Sequence, residues 1–297
     1  MTQQHDKPWL SVEGVTRRYG NKTALDALSF DIRERGIVGF LGRNGAGKST
    51  LLRILIGQDL PTSGQVKLFG EDPFDNPNVL LRVCMVQDHP DSGALKGVRD
   101  LLAVSRTIYP KWDDAFAERL IKRFDLDTRK KLKALSRGMH TSLALTIGLA
   151  SGAELTLFDE PSLGLDAVMR ERFYDILIET RDKTDRCFLV STHLIEEAAR
   201  TLDTVRMIEN GKMLAEGTVA ELTGSAFTMT GPAVESPVGA KVLRRDTRDG
   251  LVTLTCQGER PDPPPPNVTI APVSLQRLFV LLTESGADGG FESGKGA

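Results

Sequence analysis

The chain has 297 residues, and its 38 Lys and Arg against 40 Asp and Glu give a formal charge of −2. With 40% hydrophobic and 26% charged residues it has the composition of a folded protein, which excludes global disorder. The near-zero charge also provides no bulk attraction for nucleic acid, because phosphate binding needs a local excess of Lys and Arg. We therefore expect no nucleic-acid partner, while the average charge leaves local basic patches open. At about 150 residues per domain, the chain length predicts one large domain or two unequal ones.

The cysteine content and the hydropathy pattern limit where the protein works. The three cysteines are odd in number and far apart, which fits neither a disulfide framework nor a zinc site and predicts a reducing compartment. Residues 1–9 are polar and lack the apolar stretch of a signal peptide. No segment approaches 18 uninterrupted apolar residues, so we expect that the chain does not cross a membrane by itself.

Short apolar, β-rich segments alternate with helical patterns over residues 9–222, which predicts an α/β domain with those limits. The two opening segments, 10–15 and 27–32, are expected to pair as antiparallel strands. Three further segments are expected to be fully buried strands, each followed by polar or small residues: 37–41, 155–158 and 188–190.

Residues 89–150 carry a helical pattern and are predicted to form a helical insertion into this domain. Apolar residues at helical spacing define two faces in it. The first face comprises Val98, Leu101, Leu102 and Ile108, and the second comprises Phe116, Leu120 and Phe124.

The character of the chain changes after residue 223, and a small α+β accessory domain is predicted for residues 224–284. Segments 241–246 and 251–256 are expected to pair as strands, and the prolines of 261–266 to form a stiff turn. Leu275, Leu278, Phe279 and Leu282 have the spacing of an amphipathic helix. The Gly-rich residues 285–297 are expected to form a flexible tail.

A glycine-rich segment directly follows the predicted strand 37–41 and precedes a helical pattern. It contains the sequence G-x-x-x-x-G-K-[ST] in the residues Gly42, Arg43, Asn44, Gly45, Ala46, Gly47, Lys48, Ser49 and Thr50. Glycines let the backbone N–H groups approach phosphates closely, and the helix N-terminus favours an anion. Lys48 is expected to reach the β and γ phosphates, and the Ser49 hydroxyl to bind Mg²⁺. The segment predicts a nucleoside triphosphate site.

The second buried strand ends in two adjacent carboxylates, Asp159 and Glu160. In enzymes with such a phosphate-binding loop, an aspartate at this place helps to hold Mg²⁺, and we assign that role to Asp159. We predict Glu160 as the general base for the attacking water, although it can also be an acidic strand end that caps the next helix. His193 and Gln87 each follow an apolar segment: His193 is a candidate γ-phosphate sensor, and Gln87 a candidate for binding Mg²⁺ or positioning water.

Taken together and in this order, the motifs resemble the ATP-binding subunit of an ABC transporter over residues 9–222. The matching elements are Tyr19, the loop 42–50, Gln87, the segment 135–139, the segment 158–161, Asp166 and His193. The resemblance implies a P-loop NTPase of the ABC type with a mainly parallel core sheet, an antiparallel β subdomain and a helical insertion. It also implies that Tyr19 stacks on adenine and that Gln87 connects the nucleotide site to a membrane partner.

The resemblance further implies that three residues act across a dimer: Ser136, Gly138 and Asp166. Here the sequence departs from the family's Leu-Ser-Gly-Gly-Gln, because Arg137 replaces a glycine and Met139 replaces the glutamine. Met139 cannot donate a hydrogen bond, so no hydrogen bond from this position to the ribose is expected. In its Ser-x-Gly-Met form the segment resembles that of the ATPases of bacterial ABC-2-type exporters, including antibiotic exporters. The alternative for Ser136 is a plain helix N-cap.

The resemblance therefore implies an ATPase that binds ATP and Mg²⁺ and powers a transporter, with export the expected direction. It implies a homodimer, or a heterodimer with a related ATPase subunit, at the cytoplasmic face of the membrane beside separate transmembrane subunits. Two alternatives stay open: a soluble ABC ATPase that acts on ribosomes or DNA, and a nucleotide-dependent regulator that hydrolyses ATP weakly.

Overall fold

The computed structural model describes residues 7–87 and 95–287 of the chain, and side chains as far as residue 284. The strands are β1 (Leu10–Tyr19), β2 (Lys22–Ile32), β3 (Ile37–Leu41), β4 (Ser63–Leu68), β5 (Val83–Val86), β6 (Leu155–Asp159), β7 (Cys187–Thr192), β8 (Thr204–Glu209), β9 (Lys212–Thr218), β10 (Ala226–Gly231), β11 (Lys241–Arg248), β12 (Leu251–Gln257) and β13 (Thr269–Pro272). The helices are α1 (Lys48–Leu55), α2 (Pro77–Leu80), α3 (Val98–Ile108), α4 (Asp114–Arg123), α5 (Arg137–Ala150), α6 (Ala167–Lys183), α7 (Ile195–Ala198), α8 (Val219–Gly224) and α9 (Leu275–Ala287).

A six-stranded sheet with the order β5-β6-β7-β3-β8-β9 forms the centre of the fold. Its strands run parallel from β5 to β8, and only β9 is antiparallel. The three predicted buried strands lie side by side as β6, β7 and β3, and nearly all their residues are buried. Because parallel strands end at the same edge, the sequences that follow β3, β6 and β7 meet there. The predicted α/β class with a mainly parallel core sheet is confirmed.

The predicted antiparallel β subdomain is the three-stranded sheet β2-β1-β4. Leu10 pairs with Ile32 on one side and with Leu68 on the other, and all three side chains are buried. These strands share a hydrophobic core with α1 and with one face of the central sheet. The subdomain is therefore packed directly against the helix that follows the glycine-rich loop.

The predicted helical insertion is present as α3, α4 and α5, while its predicted start at residue 89 lies outside the described residues. Leu120 and Phe124 of the second predicted face are buried, whereas in the first face Val98 is fully buried and Ile108 is 55% exposed. Ten residues at 100° each leave Ile108 about 80° away from Val98 around the helix axis. Ser105 lies only about 20° away from Val98 and is the residue that is buried instead.

The carboxyl-terminal part is a four-stranded antiparallel sheet, β11-β12-β10-β13, with α9 beside it. The predicted hairpin is confirmed as β11 and β12, and β10 and β13 were not predicted. The apolar face of α9, including Leu278, joins the main hydrophobic core, and its backbone continues helical to Ala287, into the predicted tail. The remaining tail residues, 288–297, lie outside the described ones. The limits 9–222 and 224–284 stay predictions.

Across residues 7–87 and 95–287 we find no helix that combines the length and the apolarity needed to cross a membrane.

Glu154 joins three segments of the fold at the edge of the central sheet where β6 begins. Its carboxylate oxygens lie 2.8 Å from an Arg82 guanidinium nitrogen and 3.1 Å from Lys111 Nζ, and Arg35 is 3.8 Å away. The hydrogen bond from Arg82, with help from Lys111, lowers the pKa of Glu154 from 4.5 to about 2. The charged form of Glu154 is therefore favoured by folding, and its stabilising effect is present above pH 4.5 and lost as the pH falls through 2.

We expect Glu154→Gln to lower the free energy of unfolding at pH 7 by about 1–2 kcal/mol, a value reduced from the full pKa shift because the cluster is partly exposed. The difference from the wild type should shrink steadily as the pH falls from 4.5 towards 2. Urea unfolding at several pH values measures it, with the exposed Glu171→Gln as the control. A difference that stays constant over this range would contradict the assigned ion cluster.

Candidate functional site

The glycine-rich loop lies at the carboxyl end of β3, where the chain turns directly into α1. Gly47 is the N-cap of α1 and has a φ of 109°, a left-handed conformation that side chains disfavour. A Cβ at Gly47 would also lie 2.5 Å from the carbonyl oxygen of Ala24 in β2. Two independent constraints thus require glycine here, and they fix the position of the following Lys48.

Lys48 is the first residue of α1 and is only 6% exposed. Its Nζ donates hydrogen bonds to the carbonyl oxygens of Gly42 at 2.7 Å and Arg43 at 3.3 Å. The same Nζ lies 3.3 Å from Oε1 of Glu160. The structure therefore brings the predicted phosphate-binding lysine and the predicted general base into direct contact.

Glu160 lies between two predicted site residues. Its Oε1 faces Lys48, and its Oε2 lies 2.9 Å from Nδ1 of His193. Its backbone has a φ of 51° and is held there by a hydrogen bond from its N–H to the carbonyl oxygen of Ser191 at 2.9 Å. A left-handed backbone at a residue other than glycine costs about 1–2 kcal/mol, and such strain is concentrated at functional sites. The conformation aims the carboxylate at Lys48 and His193.

The residues predicted to bind Mg²⁺ fit a cation that is shared with a triphosphate. Asp159 ends β6, and its Oδ1 accepts a hydrogen bond from the Ser191 hydroxyl at 2.9 Å, which fixes the carboxylate at the carboxyl edge of the sheet. Ser49 is exposed in the first turn of α1. Mg²⁺ prefers one or two protein oxygens together with phosphate oxygens and water, so a carboxylate and a hydroxyl at this edge suit it.

Gln87, predicted both as a Mg²⁺ ligand and as a link to the partner, is the first residue after β5. Strands β6 and β7 lie between β5 and the strand of the glycine-rich loop. The Nε2 of Gln87 donates to the sulfur of Met85 at 3.7 Å, and the described contacts do not join it to Lys48 or Glu160. Its two roles stay predictions.

Tyr19, the predicted adenine platform, ends β1 and is 40% exposed. Its hydroxyl donates to the Asp59 carboxylate and accepts a hydrogen bond at 3.3 Å from Arg53 of α1. The Arg17 guanidinium lies 4.6 Å from the centre of the ring and also pairs with Asp59 at 2.6 Å. The ring is thus fixed at its hydroxyl end and has a cation near one face.

The predicted dimer-contact residues lie at the starts of two helices. Ser136 is the N-cap of α5, and its Oγ accepts a hydrogen bond from the Met139 N–H at 3.3 Å, as the plain capping alternative predicted. Asp166 caps α6 in the same way, through the Met169 N–H at 2.9 Å. A Cβ at Gly138 would lie 2.6 Å from the carbonyl oxygen of Gly164, so these two helix starts touch each other.

Sequence reasoning missed the residues that hold these side chains in place. Ser191 lies just beyond the predicted strand 188–190 and was assigned no role, although its hydroxyl donates to Asp159 and its carbonyl oxygen accepts a hydrogen bond from the N–H of Glu160. Its position, one strand away from two carboxylates at a shared sheet edge, was a usable signal. The contacts of Tyr19 with Arg17 and Asp59 had no signal in the sequence, because this pairing depends on how β1 meets the loop after α1.

Comparisons with known proteins identify the family to which the chain belongs. A family model described as "ABC transporter" matches residues 25–163. The chain is 32% identical over 302 residues to the Nod factor export ATP-binding protein I of Ralstonia nicotianae, covering 93% of this chain and 94% of that protein. It is 31% identical to the bacitracin transport ATP-binding protein BcrA of Bacillus licheniformis over 68% of this chain and 67% of that one.

Among solved structures, an ATP-binding subunit of an ABC transporter superposes with a TM-score of 0.65 at 25% identity, over 72% of this chain and 91% of that chain. These similarities confirm the predicted ABC-type P-loop fold, ATP as the nucleotide with Mg²⁺ implied by the family, and ATP hydrolysis in the service of a membrane transporter. The chain therefore belongs to the ABC transporter family, as one of its ATP-binding subunits.

Proposed function

We propose that this subunit drives an exporter, by closing head to tail with a second ATPase subunit over two ATP molecules and reopening after hydrolysis. The observation that carries the proposal is the position of Glu160 between Lys48 and His193, with contacts of 3.3 and 2.9 Å. The word "export" in the name of the Ralstonia relative, which matches nearly the whole chain, supports the direction.

In the proposed reaction Lys48 binds the β and γ phosphates, and its ammonium exchanges Glu160 for phosphate oxygens. Glu160 then accepts a proton from the water that attacks the γ-phosphorus, as the bond to the β,γ-bridging oxygen breaks and ADP leaves. His193 keeps the Glu160 carboxylate oriented. When bound, Mg²⁺ neutralises charge on the phosphate oxygens, and Ser49 and Asp159 are the residues that would hold it. Tyr19 would stack on adenine, a contact worth about 1–3 kcal/mol.

The second subunit is proposed because Ser136 and Gly138 lie at the start of α5, while the described contacts of Lys48 are with Gly42, Arg43 and Glu160. In a head-to-tail pair, the start of α5 would face the γ-phosphate held by the other subunit, with Asp166 nearby. ATP would then favour the closed pair because its phosphates bind both subunits, and phosphate release would remove that preference. A homodimer and a heterodimer are both compatible with this arrangement.

The family places such subunits beside membrane proteins, and we propose separate transmembrane subunits as the partners, reached from the cytoplasmic face. Gln87 and the helices α3 to α5 are the proposed contact region. Affinity purification of the full chain from solubilised membranes tests this. We expect a polytopic membrane protein to co-purify and to stimulate ATP hydrolysis. Recovery with ribosomes in place of membranes would favour the alternative of an ATPase that acts on the ribosome.

A further inference from the structure

The amino-terminal part of α5 and the loop after β6 are joined by a hydrogen bond from a buried side chain. Thr141 is 3% exposed, and its Oγ1 lies 3.0 Å from the carbonyl oxygen of Leu163. The same hydroxyl lies 3.1 Å from the carbonyl oxygen of Arg137 in its own helix. Leu163 is half-buried, and its carbonyl oxygen shares the single Thr141 proton with that of Arg137. Separating the two segments would remove this donor from Leu163, so the bond opposes their separation.

Two close approaches reinforce this bond. A Cβ at Gly138 would lie 2.6 Å from the carbonyl oxygen of Gly164, and a Cβ at Gly164 would lie 2.8 Å from Cγ of Arg137. In the first case the backbones at Gly138 and Gly164 are in contact, and in the second the aliphatic stem of Arg137 lies over Gly164. The start of α5 therefore has little freedom to slide over residues 163–164.

The loop that Thr141 holds is also the loop that begins at the catalytic carboxylate. The Leu163 N–H donates to the carbonyl oxygen of Glu160 at 3.1 Å, and the Leu165 N–H donates to that of Ser162 at 3.3 Å. These two turns fix residues 160–165 as one compact unit. A short, hydrogen-bonded path thus connects Glu160 with Thr141, and through the first turn of α5 with Ser136.

We propose that Thr141 is a positioning residue that couples the two ATP sites of the dimer. The inference rests on the proposed function, in which Glu160 acts on the ATP of its own subunit and Ser136 contacts the ATP of the other. Because the Thr141 bond joins their segments, a displacement of Glu160 when its own phosphate leaves is passed to the Ser136 that serves the opposite site. Thr141 itself touches neither nucleotide.

Three variants of the full-length chain separate this role from general stability. Thr141→Val keeps the shape and removes the hydroxyl, Thr141→Ser keeps the hydroxyl, and Thr146→Val is the matched control. Thr146 is fully buried in the same helix, but its hydroxyl donates only to Ser142 of that helix, at 2.8 Å. If Thr141→Val does not fold, Thr141→Ala replaces it, since alanine adds no bulk.

For Thr141→Val we expect a kcat for ATP roughly tenfold lower, the equivalent of about 1.4 kcal/mol, with KM within about twofold of the wild type. The Hill coefficient for ATP should fall towards one. Hydrogen exchange of the Leu163 and Leu165 amides should become about tenfold faster. Thr141→Ser should restore all of these values, and Thr146→Val should match the wild type.

Unchanged exchange at Leu163 and Leu165 in Thr141→Val would overturn the proposal, as would an equal loss of turnover in Thr146→Val. A loss of kcat with an unchanged Hill coefficient would also overturn it, because the coupling would then be absent. Failure of the proposed function looks different: the wild type would not hydrolyse ATP, or Glu160→Gln would hydrolyse it normally. In that case the coupling of two ATP sites is rejected as well, and exchange at the two amides then shows only whether the Thr141 hydroxyl holds the two segments together.

Discussion

Replacing Glu160 by glutamine is expected to lower the rate of ATP hydrolysis by a factor on the order of 100 to 10,000, the usual contribution of a general base. The amide has the shape of the carboxylate but cannot accept the proton of the attacking water. ATP binding should persist, because the loop that contacts the phosphates is unchanged. Phosphate release under saturating ATP measures the rate, and a fluorescent ATP analogue measures the affinity.

The same variant should accumulate as an ATP-bound dimer, since the contacts that close the pair form while the step that opens it is blocked. Size-exclusion chromatography with and without ATP detects this. Glu209→Gln is the matched control, because Glu209 also ends a parallel strand of the central sheet, β8, and has no assigned role. If Glu160→Gln retains turnover, the base is a different group. If the wild type shows no turnover even beside its membrane partner, the chain is a nucleotide-dependent regulator.

The departure from the family sequence at Arg137 and Met139 bears on whether the chain is an active ATPase or a nucleotide-dependent regulator. Gly138 keeps the close backbone approach to Gly164, and Ser136 keeps its hydroxyl at the start of α5. The side chain of Met139 accepts a weak contact from Lys130 Nζ at 3.7 Å. The groups proposed to meet the phosphate, Ser136 and Gly138, are therefore retained, and the changes are confined to Arg137 and to Met139, the position proposed to meet the ribose. This favours an active ATPase over a regulator.

The parts of the candidate site that could be proposed from the sequence are encoded within single short segments. The strand, loop and helix around Lys48 form one continuous stretch, so spacing and glycine content were sufficient. The carboxylates Asp159 and Glu160 were recognisable because a buried strand ends there. Their meeting at one edge follows from the mainly parallel core sheet, which the resemblance to the ABC family implied.

What escaped prediction depends on contacts between distant segments. The left-handed backbone of Glu160 is fixed by Ser191 from the neighbouring strand, and no local pattern announces a positive φ at a glutamate. Strand β10 was not predicted because it is stabilised by pairing with both β12 and β13, which are distant in sequence. The exposure of Ile108 is a matter of helical phase, which the i, i+3, i+4 template tracks poorly over three turns.

Replacing Lys48 by methionine is expected to weaken ATP binding by about a hundredfold or more. The ammonium can make two charge-assisted contacts with phosphate oxygens, and at about 1.5–3 kcal/mol each their loss amounts to at least about 3 kcal/mol. Methionine keeps much of the aliphatic stem, so the packing around this buried position is largely preserved. The variant also leaves Glu160 without its cation at 3.3 Å, which should make the nucleotide-free protein somewhat less stable.

Thermal unfolding separates these two effects, because ATP stabilises a protein only to the extent that it binds the folded state. We expect ATP with Mg²⁺ to raise the Tm of the wild type by several degrees and to leave that of Lys48→Met nearly unchanged. ATP at a hundred times the Kd of the wild type adds about 2.7 kcal/mol of stability. After a hundredfold loss of affinity the same concentration only equals the Kd of the variant, and little stabilisation remains. Lys67→Met, on the exposed face of β4, should respond to ATP as the wild type does. An equal rise of Tm in Lys48→Met would mean that the triphosphate lies elsewhere. The contacts of Lys48 with Gly42, Arg43 and Glu160 would then serve the stability of the loop alone.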